Sequence, residues 1–257
     1  MRQVVRFSEY IATTQVFTTA SLFEAVGDKP SVLVSLSRAA KDQKVFRVRR
    51  GLWVSNSGRF VGLPADPYLI ARAFRFDAAF VYHSALALHG VAHSLSNRVQ
   101  FMASGKAVSF EYDGVLFHSY PIRTGIDTQS LVARSYGAVR VTTREQTLID
   151  CFLHVGKSGG AEEVVRSLNG FDYIDVAAIV AKAASLPVSA VCRIGWYLEH
   201  SQERLGIADA QVAELERLVP RSSSSHLDPA VRRSEGFSSR WRLNLPAPVD
   251  EISSWME

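Results

Sequence analysis

What most limits the fold of this chain is the order of signals in its first 54 residues. Two short amphipathic helical patterns are separated by Gly27-Asp28-Lys29-Pro30, and an alternating ribbon folded about Arg50-Gly51 follows. Residues 4–14 read as a first helix. Val16-Phe17 then leads into Thr18-Thr19, hydroxyl residues suited to cap the next helix, on which Leu22, Phe23 and Val26 share one face. Gly27 suits the left-handed position after a helix, and Pro30 suits the first position of a new one. Helix, short turn, helix is the helix-turn-helix pattern.

On a helical wheel with Leu36 at zero, Val32, Leu33, Ala39 and Ala40 lie within ~60° and predict a buried stripe. Ser31, Val34, Ser35, Ser37, Arg38, Lys41 and Asp42 lie on the far side. Short hydroxyl side chains and cations there can approach base edges and phosphates without obstruction. An ordinary solvated helix face would look similar, and the next segment decides between the two. Lys44-Val45-Phe46-Arg47-Val48-Arg49-Arg50-Gly51-Leu52-Trp53-Val54 alternates with period two, as a β-hairpin with glycine at its turn does. Lys44, Arg47, Arg49 and Arg50 fall on or beside its first strand and tip. A basic hairpin directly after a helix-turn-helix is a wing, its cations placed for the phosphate backbone or a minor groove. The expected DNA-contacting residues are therefore Ser31, Ser35, Arg38, Lys41, Lys44, Arg47, Arg49 and Arg50, with Ser35 and Arg38 toward the major groove.

Charge supports the same reading. Of a net +4, residues 1–60 carry 10 Lys/Arg against 4 Asp/Glu, a balance of +6, while residues 61–257 carry 19 against 21, a balance of −2. A local excess of this kind points to a polyanionic partner for that segment. The 257 residues, 47% hydrophobic and 21% charged, are ordinary for a globular protein. They predict two domains, a winged helix-turn-helix over 1–75 and a larger α/β domain over 76–257. Cys151 and Cys192 lie in apolar helical patterns with no CxxC spacing, which argues against a disulfide framework or a zinc knuckle. No secretory apolar segment opens the chain, and no run of ~18 apolar residues occurs, so a cytoplasmic protein without a membrane partner is expected.

Beyond residue 60, Pro64-Ala-Asp-Pro67 reads as a turn before a short helix over 68–76. A further helix is expected in Tyr82-His-Ser-Ala-Leu-Ala-Leu-His-Gly90, capped by Ser84 and ended by Gly90. Strands are expected at 98–103, 108–112 and 115–120, the last two joined by a tight Asp113-Gly114 turn. Thr142 with Glu145, or Thr143 with Gln146, makes a capping box before the apolar run from Leu148. Further helices are expected at about 161–168, 175–185, 188–203 and 208–219, then a polar loop over 221–239 and a final strand to Leu245 that pairs into the sheet. The class is α+β, or mixed α/β.

Catalytic signals are weak. Gly156-Lys157-Ser158 resembles the end of a phosphate loop, but Cys151 stands where that pattern needs glycine, and the preceding segment reads as helix. His83, His89 and His93 lack the glutamate of a zincin helix, so structural roles are expected for them. Glu145 and Asp150, five residues apart on one helix, point to different faces. No nucleophile–base pair stands out. A non-enzyme with no cofactor, metal or catalytic residue is expected.

Several blocks resemble the AbiEi antitoxin family. Phe17-Thr-Thr-Ala-Ser-Leu-Phe-Glu-Ala-Val-Gly27 is similar to that family's opening helix, and Arg47-Val-Arg-Arg-Gly-Leu-Trp-Val54 to its wing. Tyr82–Gly90 resembles its serine–alanine–leucine…histidine–glycine block, and Arg193-Ile-Gly-Trp-Tyr-Leu-Glu199 its late helix. Thr143-Arg-Glu-Gln-Thr-Leu-Ile-Asp150 resembles a helix in which Lys is usual where Gln146 stands. The five blocks occur in the family's order over residues 16–200. The resemblance implies an antitoxin that represses its own operon by binding inverted repeats in double-stranded operator DNA. It also implies a cognate nucleotidyltransferase-like toxin, held directly or counteracted without a stable complex. The alternatives are a winged-helix transcriptional regulator whose larger domain senses a small molecule, and a nuclease with a DNA-targeting head.

Overall fold

The computed structural model describes residues 5–27, 30–133 and 137–256, so residue 4 of the first expected helix and most of the Gly27-Asp28-Lys29 turn lie outside it. The chain opens with α1 (Phe7–Thr13), β1 (Val16–Thr18), α2 (Thr19–Val26), α3 (Pro30–Lys41), β2 (Val45–Arg49) and β3 (Leu52–Ser55). Thr18 caps α2 reciprocally: its Oγ1 accepts from Ser21 N at 3.0 Å, and Ser21 Oγ accepts from Thr18 N at 3.0 Å. Gly27 ends α2 at φ +106°, ψ 148°, a glycine conformation but not the left-handed helical one expected. Ile11, Phe17, Leu22, Val32, Leu36, Ala39 and Val45 form the core of this segment.

The three strands make an antiparallel sheet in the order β1-β3-β2. Alternation gives this sheet two buried faces. Phe17 and Val45 point to the helices. Leu52 and Val54 point the other way, into a second core with Ile70, Phe80, Phe101 and Phe117. A short 3-10 turn (Gly58–Phe60) leads to α4 (Pro67–Phe74), whose first turn is capped by Asp66, accepting from Tyr68 N at 2.8 Å. Packing is thus continuous across the boundary expected at residue 75.

The larger part begins with β4 (Ala79–Phe80), α5 (Tyr82–Leu88), β5 (Arg98–Ala103), β6 (Val108–Tyr112), β7 (Val115–Pro121), β8 (Thr128–Ala133) and β9 (Gly137–Thr142). These strands form one mixed sheet in the order β6-β7-β5-β4-β9-β8, in which β5/β7 and β4/β9 run parallel. Then come α6 (Arg144–Leu153), a 3-10 turn (Val155–Lys157), α7 (Ala161–Leu168), α8 (Val176–Ala183), α9 (Val188–His200), α10 (Gln202–Leu205) and α11 (Asp209–Glu216). The chain continues through β10 (Ser225–His226), β11 (Gly236–Ser238), β12 (Leu243–Leu245) and α12 (Val249–Trp255). The fold is α+β.

Three expectations change here. Ser84 lies inside α5 and does not cap it; its Oγ instead accepts from Gln100 N at 2.8 Å, tying helix to sheet. The polar stretch 221–239 contains β10 and β11, which flank β12 in a separate three-stranded sheet. The final strand therefore pairs there and not in the large sheet, and α12 follows it. Thr143, the second of the two capping alternatives, caps α6, accepting from Gln146 N at 3.2 Å.

Two contacts in the larger part give measurable consequences. Gly195 of α9 packs flat on the buried Trp241 ring, and a Cβ there would sit 2.0 Å from Trp241 Cζ3. Alanine gains ~1 kcal/mol over glycine from helix propensity. Overpacking a core of this kind costs ~1–3 kcal/mol or more. Gly195→Ala is expected to lower stability by about 2 kcal/mol in urea denaturation, and an unchanged or higher midpoint would contradict the packing described.

Glu163 of α7 accepts from Ser167 Oγ at 2.8 Å and from the amides of His93 and Ser94 at 3.2 Å, with His83 Nε2 also at 3.2 Å. Burial pushes its carboxyl upward, but the Ser94 and Ser167 hydrogen bonds and the His83 ring outweigh burial and hold it below its ordinary 4.5. A depressed folded-state value gives stability that is present above the unfolded value and lost as pH falls through the folded one. Glu163→Gln is therefore expected to flatten the decline of stability below about pH 4.5. Thermal melts of both proteins between neutral and acid pH would check this, and parallel pH profiles would count against it.

Candidate nucleic-acid interface

The buried stripe of α3 is Val32, Leu36 and Ala39, with Ala40 half-buried. Leu33, expected on that stripe, is 50% exposed, and Val34 is 60% exposed. The helix packs through a stripe narrower than the wheel allowed, against the core formed with Ile11, Phe17, Leu22 and Val45. The open ridge therefore consists of Ser31, Leu33, Val34, Ser37, Arg38 and Lys41. Of the two, Val34 is on the outer face as expected, and Leu33 is the residue that the wheel places wrongly.

Arg38 and Lys41 are exposed and make no ion pair or hydrogen bond among the described residues. Ser35 is half-buried, and its hydroxyl donates back to Ser31 O at 2.9 Å. It lines a hollow of about 260 Å³ between α1 and α3 with Phe7, Ile11 and Arg38. Its donor is engaged by the helix itself, which removes it from the forward-facing set.

Lys44 follows α3 and is exposed, with only Asp42 nearby at 4.0 Å, an exposed pair of little energetic weight. Arg47 is exposed on β2 with its guanidinium 5.9 Å from the Trp53 ring centre. Trp53 is itself fixed by donation from Nε1 to Thr19 Oγ1 at 3.0 Å. Arg50 is exposed at the hairpin tip, beside Gly51 at φ +78°, which makes the tight turn.

Arg49 departs from the expected set. The ladder shifts between Arg47 and Arg49: Arg47 pairs with Trp53, but Arg49 pairs with Leu52, leaving Val48 in a bulge. That extra residue moves Arg49 onto the face shared with Leu52 and Val54. Its guanidinium lies 4.3 Å from the Phe74 ring centre and 5.1 Å from that of Phe110. This cation–π sandwich fastens the hairpin to the larger part and takes Arg49 away from the exposed cations.

The exposed ridge of α3 and the hairpin that follows it carry the exposed cations Arg38, Lys41, Lys44, Arg47 and Arg50. Chemically this set can neutralise phosphates and bring a mixed hydroxyl, methyl and guanidinium surface to base edges. The other candidates from the sequence lie elsewhere and apart. His83 faces Glu163, and His89 Nε2 contacts Thr142 O at 2.8 Å. Glu145 accepts from Asp175 N at 3.0 Å, while Asp150 meets Arg123 at 2.8 Å. Both cysteines are free and buried, and burial pushes the Cys151 thiol up to about 12.

The two arginines of the hairpin should separate in a stability measurement. Arg49→Ala is expected to cost about 1–2 kcal/mol, since the sandwich is partly desolvated. Arg50→Ala should stay within about 0.5 kcal/mol of the parent. Urea denaturation of both variants checks this, and equal effects would place the two side chains in like environments.

No family model and no curated protein matches the chain in sequence. In structure it is similar to the RV2827C protein from Mycobacterium tuberculosis, with a TM-score of 0.67 over 100% of this chain and 97% of that one. At 14% identity, the likeness shows a shared fold that runs through the whole chain, the first segment and the larger part together.

Proposed function

We propose that this chain is a DNA-binding autorepressor and antitoxin. In this reading residues 1–75 are a winged helix-turn-helix that holds inverted-repeat operator DNA, with α3 in the major groove and the β2–β3 hairpin as the wing. The larger part, residues 76–257, counteracts a nucleotidyltransferase-like toxin, and no catalytic step is assigned to either. One observation carries the DNA half: Arg38 and Lys41 stand unpaired on the open ridge of α3, beside the exposed Lys44, Arg47 and Arg50. Cations so placed release counterions from a duplex on binding, and affinity then falls steeply with salt.

The antitoxin half rests on the ordered blocks that resemble AbiEi-type antitoxins. Three of them fall on α5, on the start of α6 and on α9, where most side chains are buried. These blocks support a shared fold, and neutralisation must use other surfaces. A ligand-sensing winged-helix regulator is the second reading, favoured by the cationic cluster argued below.

Gel shifts with operator duplex at two salt concentrations test the first half. Arg38→Ala should weaken operator binding by ~1–3 kcal/mol and relax specificity. Arg50→Ala should lower the salt slope by ~1 on every sequence, while Arg49→Ala leaves the slope unchanged. Failure of the parent protein to shift duplex at low ionic strength would overturn the reading. Removing residues 1–60 is a poor test of the division of labour, because Leu52 and Val54 belong to the core beneath the large sheet. A double variant, Arg38→Ala with Arg50→Ala, should instead lose operator binding and still protect cells that express the toxin.

A further inference from the structure

We propose that the larger part holds a small tetrahedral oxyanion, the phosphoryl group of a small metabolite, between Lys157, His118 and His154 above Tyr82 and Tyr120. The proposal is independent of the DNA-binding reading. The register of β5 with β7 pairs Gln100 with His118 and Met102 with Tyr120, so these four side chains share one face of the sheet. On that face Gln100, Met102 and Tyr82 are buried, the last at 1% exposure, while His118, Tyr120, His154 and Lys157 are half-buried. The result is a covered floor with a polar rim.

Lys157 is the centre of the cluster. Gln100 Nε2 donates to Lys157 O at 2.9 Å and pins the 3-10 turn over the sheet. The Lys157 ammonium then lies 4.5 Å from the Tyr120 ring centre and 5.1 Å from that of Tyr82. It makes no hydrogen bond and no ion pair among the described residues. Two neighbouring cations are matched: Arg123 Nη2 donates to the fully buried Asp150 at 2.8 Å, and Lys182 meets Asp127 at 2.5 Å, while Arg98 stands exposed at the start of β5. Lys157 is the half-buried cation among these without a carboxylate partner, in a place where burial and Arg123 disfavour its charge. An anion at the rim would relieve both.

The two imidazoles complete the rim as neutral hydrogen-bonding groups. Burial first, and then Lys157 and Arg123, push His154 down to about 4. Burial, Lys157 and Arg98 lower His118 as well. His118 Nδ1 lies 2.7 Å from Ser109 Oγ, and with that hydroxyl as donor the ring proton sits on Nε2. Backbone strain marks the same spot. Tyr82, at the junction of β4 and α5, has φ +53°, a left-handed conformation that an aromatic residue adopts only when its surroundings impose it.

The donors belong to β7, the end of α6 and the 3-10 turn, and so converge from several directions. Of the planar forks nearby, Arg123 is engaged by Asp150 and Arg98 is exposed at the start of β5. An ammonium and two imidazoles spread in this way suit a tetrahedral oxyanion better than a planar carboxylate, which a bidentate fork would favour. Lys157 belongs to the Gly156-Lys157-Ser158 string, which forms no phosphate loop here because it is a 3-10 turn after a helix.

The test is titration of the full chain with inorganic phosphate at low ionic strength, read by calorimetry and by histidine ring NMR signals. One phosphate should bind per chain, with the His118 and His154 signals moving in step with saturation. Acetate should bind at least about tenfold more weakly. Lys157→Met should lower phosphate affinity about tenfold or more, Lys157→Arg should keep it, and Arg38→Ala on the DNA-facing helix should leave it unchanged. The proposal fails if neither heat nor a histidine shift appears by about 10 mM phosphate, if acetate binds equally well, or if Lys157→Met binds like the parent.

Discussion

The molecule depends on the burial of both faces of its small N-terminal sheet. Phe17 and Val45 close one face under α1, α2 and α3, while Leu52 and Val54 close the other over α4 and the large sheet. Each such side chain, fully buried, stabilises the fold by ~1.5–3 kcal/mol. A hairpin buried on one side only could swing, and its cations would then have no fixed spacing from those of α3. With both faces covered, the hairpin that carries Arg47 and Arg50 is fixed against the helices as well as the large sheet. The bulge at Val48 turns Arg49 inward to the Phe74 and Phe110 rings, while Arg47 and Arg50 stay exposed.

The larger part is organised around α9 in a comparable way. Arg193 is buried, yet Nη1 donates to Phe152 O at 2.9 Å and Nε to His226 O at 2.7 Å, so it joins α6, α9 and β10. Two residues on, Gly195 receives the Trp241 ring, whose Nε1 donates to Glu199 Oε2 at 2.6 Å. Arg193, Gly195 and Glu199 all lie in the late block that resembles AbiEi antitoxins. Their spacing has a packing reason: a cation to satisfy carbonyls, a residue without Cβ to admit indole, and a carboxylate to hold the indole N–H. These roles are those of packing, and none of the three residues is left over for a partner.

Local chemistry was legible from sequence, and long-range partners were not. Asp113-Gly114 does turn β6 into β7, with φ +51° and +74°, because aspartate and glycine accept that conformation at low cost. The helix of 161–168 and the strand of 98–103 match their expected limits, since the periodicity of each is unbroken. Ser84 misled because a hydroxyl near a helix start looks like a cap until a neighbouring strand claims it. The 221–239 stretch looked like loop because β10 and β11 are too short to show a period and are made by pairing with β12. In the candidate interface the ridge and the tip were readable, but Arg49 was not. Nothing in Arg47-Val48-Arg49 announces a bulge, and the aromatic rings that hold Arg49 lie 25 and 61 residues downstream.

The large sheet brings the remaining questions together, because its two faces serve different neighbours. Phe80, Phe101 and Phe117 look toward the hairpin and α4, while Tyr82, Met102 and Tyr120 look toward Lys157. Phe80 and Tyr82 are two residues apart across the junction of β4 and α5, and the strained φ falls at that junction. Any coupling between the Lys157 side of the sheet and the hairpin side would need an element with two arrangements, and interdigitated aromatic cores resist gradual deformation. Tyr82 is where the two faces meet in the chain, and its left-handed backbone is held there by the packing of both sides.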